Sequence, residues 1–236
     1  VPRTVLIGGK AAPSYTMAKL IIRLVNAVAE VINADPATSR LLRLYFVPNY
    51  CVTLAEKLAP AADVSEQIST AGMEASGTGN MKFALNGALL VGTLDGANIE
   101  IKDAIGPDNI FIFGHTAEEV RCLRASGYDP RAVAAADGEL VCALEMIADG
   151  VFSPAEPGRF RPIVESLLDH GDYFLTLADY RSFLDCQDEV ARAYRDEAGW
   201  TRRSILSVAR MGFFSADRSV REYARDIWRT GGAIKQ

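Results

Sequence analysis

The sequence predicts an α/β fold, a doubly wound parallel sheet covered by helices and followed by a mainly helical tail. Two observations carry that reading. Short, nearly continuous apolar runs alternate with helical patterns through the first half of the chain, as strands buried on both faces of a parallel sheet require. From Ala117 onward the strand-like runs stop and helical periodicity takes over.

The elements follow in order. Thr4-Val5-Leu6-Ile7, stopped by Gly8-Gly9, reads as a buried strand. After Pro13-Ser14, Met17, Leu20, Ile21, Leu24, Val25, Val28 and Ile32 recur at helical spacing. Asn33-Ala34-Asp35-Pro36 ends that helix, because a residue before proline avoids helical angles. Leu41 to Val47 reads as a second strand, closed by Pro48-Asn49. A short helix from about Val52 to Leu58 follows, then a compact stretch around Val64 to Ile68. Asn80 to Asn86 reads as a helix, with Leu89 to Thr93 and Ile110 to Phe113 as strands. Asp149 to Pro162, with its prolines and glycines, is the candidate internal joint. Asp179 to Glu197, Trp200 to Met211 and Ser219 to Trp228 read as helices packed on the sheet. One partial domain over 1–236 is expected, with an α/β part at 1–115 and a helical part at 116–236.

Composition narrows the function classes. The 236 residues carry 25 Lys+Arg against 30 Asp+Glu, a net charge of −5, and 49% are hydrophobic. A disordered chain is excluded, and a broad nucleic-acid or membrane-surface footprint, which needs clustered basic residues, is not expected. No apolar run approaches the roughly 18 residues of a membrane span. Cys51, Cys122, Cys142 and Cys186 lie far apart, and only His115 and His170 accompany them, so no metal site is expected. The cysteines read as reduced thiols and small core residues of a cytoplasmic protein. The chain starts at Val1 with a strand almost at once, which is expected of a piece of a longer protein.

The chemistry concentrates in Gly72-Met73-Glu74-Ala75-Ser76-Gly77-Thr78-Gly79-Asn80-Met81-Lys82-Phe83. Gly77-Thr78-Gly79 precedes a helix, where converging backbone N–H groups suit an anion. A Walker loop would need Lys-Ser/Thr after the second glycine, and a dinucleotide fingerprint would need a third glycine where Lys82 stands. Lys82 falls in the first turn of its helix, the end where the macrodipole disfavours a cation. Its neighbours Met81, Phe83, Ala84 and Leu85 are apolar, so part of that turn is expected to be buried. A desolvated lysine turns nucleophilic and suits a Schiff base to an aldehyde. An aldehyde bearing a phosphate, such as pyridoxal phosphate, meets both conditions. A solvent-facing lysine beside a glycine turn meets the same residues equally simply.

Glu74 through Lys82, followed by Leu85-Asn86-Gly87, resembles the pyridoxal-phosphate motif of the α-glucan (glycogen) phosphorylases, the bacterial members most closely. Further blocks of the resemblance are Gly8 to Pro13, Val47-Pro48-Asn49-Tyr50, Pro60 to Asp63 and Ser65 to Ser69. It continues in Gly92-Thr93-Leu94-Asp95-Gly96-Ala97-Asn98, Phe111 to Gly114, Phe214 to Arg218 and Tyr223-Ala224. The resemblance implies a Rossmann-like sheet forming the later part of the C-terminal domain of a glycosyltransferase-B fold, with the active site in a crevice between domains. It implies that Lys82 carries pyridoxal phosphate as a Schiff base and that the cofactor phosphate serves as acid and base. Gly77, Thr78, Gly79 and Asn80 would hold that phosphate, and Tyr50 would line the cofactor pocket. Glu74, Ala75, Ser76 and Gly77 would bind glucosyl hydroxyls.

The implied reaction is reversible phosphorolysis of terminal α-1,4-linked glucose, with α-1,4-glucan, inorganic phosphate and glucose 1-phosphate as partners. The implied full-length enzyme is a homodimer. The family's basic cluster, its catalytic histidine segment, its N-terminal domain and its regulatory segment match nothing in this chain. Cys51 stands where some members have arginine. The isolated chain is therefore expected to be inactive. Two other readings share the fold: a non-catalytic phosphate- or nucleotide-sugar-binding module, and a nucleotide-sugar glycosyltransferase, which does not need Lys82.

Overall fold

Parallel pairing begins at the first apolar run. Strands β1 (Arg3–Gly8) and β2 (Leu42–Val47) pair in parallel, with Val5 opposite Leu44 and Gly8 opposite Val47. Parallel neighbours need a crossover, and helix α1 (Thr16–Ala34) supplies it. Asn33 fastens the crossover, accepting from the Leu44 N–H at 3.1 Å and donating to the Leu44 carbonyl at 2.8 Å. This computed structural model describes residues 1–230. The last six residues of the expected helical part, 231–236, lie outside the described residues.

After helix α2 (Val52–Leu58) comes a second parallel ladder, β3 (Val64–Gln67), β4 (Leu89–Gly92) and β5 (Phe111–Ile112), in that order. Helices α3 (Gly79–Leu85) and α4 (Asn98–Ile105) form its crossovers. The stretch from Val64 is thus a strand, drawn into extended form by pairing Val64 with Leu89 and Gln67 with Gly92.

The core centres on β4, all four of whose residues are buried. Side chains alternate across a strand, so its two faces serve different clusters. Leu90 packs with Ala84, Ala97, Ile101, Ile105 and Met211. Leu89 and Val91 pack with Phe111, Phe113, Cys186 and Val190. Coverage on both faces holds for β4 but not for β1, where Leu6 remains 51% exposed.

The second half is helical, as expected: α5 (Ala117–Ser126), α6 (Pro130–Ala135), α7 (Gly138–Ala148), α8 (Arg161–Leu168), α9 (Thr176–Tyr194), α10 (Glu197–Arg210) and α11 (Ala216–Glu222). Thr116 and Glu119 form a reciprocal capping box at α5, and Asp129, Asp137 and Asp196 cap α6, α7 and α10. The tail packs on the sheet as expected, since α9 contributes Cys186 and Val190 to the β4–β5 core. The Asp149–Pro162 joint is packed rather than loose: Phe160 is fully buried, and Gly150 (φ +79°) presses against Pro157. Helix α1 is long, yet no helix among the described residues is long and apolar enough to cross a membrane.

The expectation that all four cysteines serve the core is corrected. Cys51, Cys122 and Cys142 are exposed, and only Cys186 is buried. Cys122 and Cys142 each stand two positions after a buried residue, Val120 and Leu140, which turns them off the buried stripe of their helices.

Candidate functional site

Strands β3 and β4 end side by side, so the loops that leave them, 68–78 and 93–97, meet at the carboxyl edge of the ladder. Ligand sites of open α/β sheets form at that edge. The carboxylate of Asp95, only 5% exposed, organises the meeting. Its Oδ2 accepts from the Ser69 hydroxyl at 2.8 Å and from the Glu74 N–H at 2.9 Å, and its Oδ1 accepts from the Gly72 N–H at 2.8 Å. Two residues on, the Ala97 N–H donates to the Ser76 carbonyl at 2.6 Å. Gly96, at φ +48°, lies so close to that carbonyl that a Cβ would collide with it.

Asn98 completes the junction. Its Nδ2 donates to the Thr93 carbonyl at 3.0 Å, and its Oδ1 accepts from Asn80 Nδ2 at 2.9 Å. The start of α3 is thereby tied to the turn after β4. Between the loops lies a hollow of about 220 Å³ lined by Glu66, Gln67, Ser69, Glu74, Ser76, Gly77, Asn80, Asp95 and Asn98, together with Ile68. Apart from Ile68, its lining is carboxylates, amides, hydroxyls and backbone, with no cation. Such walls accept hydrogen bonds from hydroxyls and repel a free anion.

An anion finds its donors just beyond the hollow. Among the described residues, no backbone carbonyl accepts from the N–H groups of Gly77, Thr78 or Gly79, and Thr78 forms no side-chain cap. These are uncommitted donors at a helix start. Lys82 stands on the same short helix and enters none of the ion pairs of the described residues.

The structure brings Glu74, Ser76, Gly77 and Asn80 around one hollow, with Ala75, Thr78 and Gly79 in the same loop. Tyr50 sits apart at the carboxyl ends of β1 and β2, its Cδ2 2.9 Å from where a Cβ on Gly8 would stand. Part of the first turn of α3 is buried as expected, Asn80 and Ala84 fully and Met81 and Phe83 partly, but Lys82 itself is not. Its side chain is exposed, because Ala84 takes the inward position of α3 and the helix is only seven residues long.

Asp95 and Asn98 received no role from the sequence. The signal available was position: a Gly-Thr-Leu-Asp-Gly-Ala-Asn turn directly after a predicted strand lies at the ligand-binding edge. Among the described residues, no group of three or more His, Cys, Asp or Glu is placed to hold a metal ion.

The carbohydrate phosphorylase family model matches residues 1–230. Curated relatives include the glycogen phosphorylase of Synechocystis sp., 52% identical over 96% of this chain and 27% of its own length. The glycogen phosphorylase of Chlamydia trachomatis is 53% identical over 97% of this chain and 28% of its own. The muscle form of human glycogen phosphorylase is 52% identical over 97% and 27%. Bacterial and mammalian relatives thus stand at the same distance, and the chain spans about 27% of their length. A match over residues 1–230 takes in every strand, both loops of the hollow and the helical half, and this chain belongs to the carbohydrate phosphorylase family.

Proposed function

We propose that this chain is the cofactor-binding part of an α-glucan phosphorylase, acting in reversible phosphorolysis of terminal α-1,4-linked glucose to glucose 1-phosphate. The observation that carries the reading is the adjacency of two unlike environments at one sheet edge. A hollow of hydroxyl-accepting groups suits a sugar, and the uncommitted N–H groups of Gly77, Thr78 and Gly79 beside it suit a phosphate.

Pyridoxal phosphate fits the second environment on the chemistry of its donors, a helix start for its phosphate and Lys82 for its aldehyde. When bound, the cofactor supplies a phosphate that gives and takes a proton. Lys82 would fix it in place, while Gly77, Thr78, Gly79 and Asn80 orient the phosphate group, and Tyr50 would line the pocket from the β1–β2 side. Glu74 and Ser76 would hold the terminal glucosyl hydroxyls, with the Ala75 and Gly77 backbone permitting close approach. The cations that inorganic phosphate requires are absent from the hollow's lining and would come from outside this chain.

On this reading residues 1–236 form one partial domain, the parent works in the cytoplasm as a homodimer with an N-terminal domain, and the isolated chain is inactive. Contacts across the 115/116 division support a single unit: Ala71 packs with Val120 and Leu175, and the Thr70 hydroxyl donates to the Phe174 carbonyl. The test is borohydride reduction of the full-length protein followed by peptide mass mapping. A pyridoxyl adduct on Lys82 is expected. A protein isolated with Lys82 unmodified overturns the reading and favours a nucleotide-sugar-binding module.

A further inference from the structure

We infer that Asp95 is a positioning residue for the sugar-binding loop, an inference that rests on the phosphorylase reading above. Asp95 is buried, forms no ion pair among the described residues, and accepts from three protein donors: the Ser69 hydroxyl, the Gly72 N–H and the Glu74 N–H. A buried carboxylate without a cation persists only where donors are held against it. All three donors belong to one loop, so solvating this charge also fixes that loop. The Ala97 N–H and the close approach of Gly96 hold the same loop at Ser76. Residues 95–97 thus grip it at 69, 72, 74 and 76.

The consequence falls on Glu74. Its backbone nitrogen is bonded to Asp95, its Cγ lies 3.2 Å from where a Cβ on Gly96 would stand, and its side chain lines the hollow. Asp95 also lines that hollow, but all three of the bonds it accepts come from the loop, two of them on Oδ2 and one on Oδ1. It therefore acts on the sugar through Glu74. An asparagine at 95 keeps the size and offers one oxygen in place of two. Its amide NH2 would then face a backbone N–H, and the loop would lose one of its attachments.

The test is a double-mutant cycle in the full-length enzyme, Asp95→Asn against Glu74→Gln, read as KM for glucose 1-phosphate beside pyridoxal phosphate content per chain. Asp95→Asn raises KM about tenfold at unchanged cofactor content. In the Glu74→Gln background the same substitution adds less than about threefold. An unmoved KM, equal factors in the two backgrounds, or cofactor loss in step with KM overturns the assignment. If Asp95→Asn does not accumulate as folded protein, Ser69→Ala removes one donor to the same carboxylate. It raises KM about threefold and speeds amide exchange at Gly72 and Glu74, and unchanged exchange overturns the assignment. Absence of the Lys82 adduct in the unsubstituted protein defeats the phosphorylase reading and this role together. An intact adduct with an unmoved KM defeats only the role of Asp95.

Discussion

Asn80 donates from Nδ2 to Oδ1 of Asn98 at 2.9 Å, and both residues are buried. Asn98 in turn donates to the Thr93 carbonyl, and Asn80 Oδ1 accepts the Met81 N–H at 2.9 Å. One relay of amides therefore runs from the end of β4 to the first turn of the helix that bears Lys82. Each amide has its partner fixed, which is the condition under which a buried polar pair rigidifies a fold rather than weakening it.

Asn98→Leu keeps the approximate volume and leaves the Asn80 amide without its acceptor. Orphaning a buried donor costs about 1–3 kcal/mol, so the urea midpoint falls at an unchanged slope. The α3 start also loosens, and on the phosphorylase reading proposed above the substituted full-length protein retains less pyridoxal phosphate after dialysis than the parent. A midpoint within error of the parent would remove the relay from the account.

The same residues show what the sequence discloses and what it hides. Strand β4 was legible because both its faces are apolar, and each face has its own cluster. Strand β3, Val-Ser-Glu-Gln, was not, because its extended form comes from pairing with β4 and not from its own pattern. The loop motif ending in Lys82 was legible as a string, while the exposure of Lys82 depends on which way a seven-residue helix turns. Asp95 was invisible as an organiser because its partners lie 26, 23 and 21 residues earlier in the chain. In sequence it is indistinguishable from an ordinary turn aspartate.

Gly96→Ala tests the close approach of the two loops. The substitution introduces a Cβ into the Ser76 carbonyl and forces a side chain onto a backbone at φ +48°. Overpacking of this kind costs about 1–3 kcal/mol, and the strain falls on the loop of residues 68–78. A lower melting temperature and faster amide exchange at Ala97, whose N–H bonds Ser76, are expected. Gly158→Ala, with nothing within 4 Å of its Cβ, is the control and leaves both unchanged.

Asp172 is the corresponding centre of the helical half. It is 2% exposed and accepts from the Thr176 N–H at 2.9 Å, the Leu177 N–H at 2.8 Å and the Tyr128 hydroxyl at 3.0 Å. Burial first, and the Asp172 charge second, push the Tyr128 phenol above its usual range. Tyr128→Phe removes one of three bonds and costs about 1 kcal/mol. Asp172→Ala orphans all three donors and costs at least about 3 kcal/mol. The ratio of the two losses, read from denaturant midpoints, is the check, and equal losses would contradict a shared centre.

Cys186 carries the pH prediction. Burial beneath β4, with smaller contributions from the Glu189 and Glu66 charges, pushes its thiol up to about 11, opposed in part by Arg3. An unfolded thiol ionises near pH ~8.5. Between those values the unfolded chain releases a proton that the folded chain keeps, so unfolding becomes easier as pH rises through the window. The contribution of Cys186 is fully present below the lower value and lost on approaching the upper. Cys186→Ala lowers stability at neutral pH by leaving a cavity, yet flattens the decline between pH 9 and 11. Alkylation supplies an independent readout. At pH 8 exposed Cys122 and Cys142 take up iodoacetamide, while Cys186 reacts only after urea is added. Equal labelling of Cys186 in the folded protein would mean that the β4–α9 interface opens on the timescale of the reaction, contrary to the burial seen here.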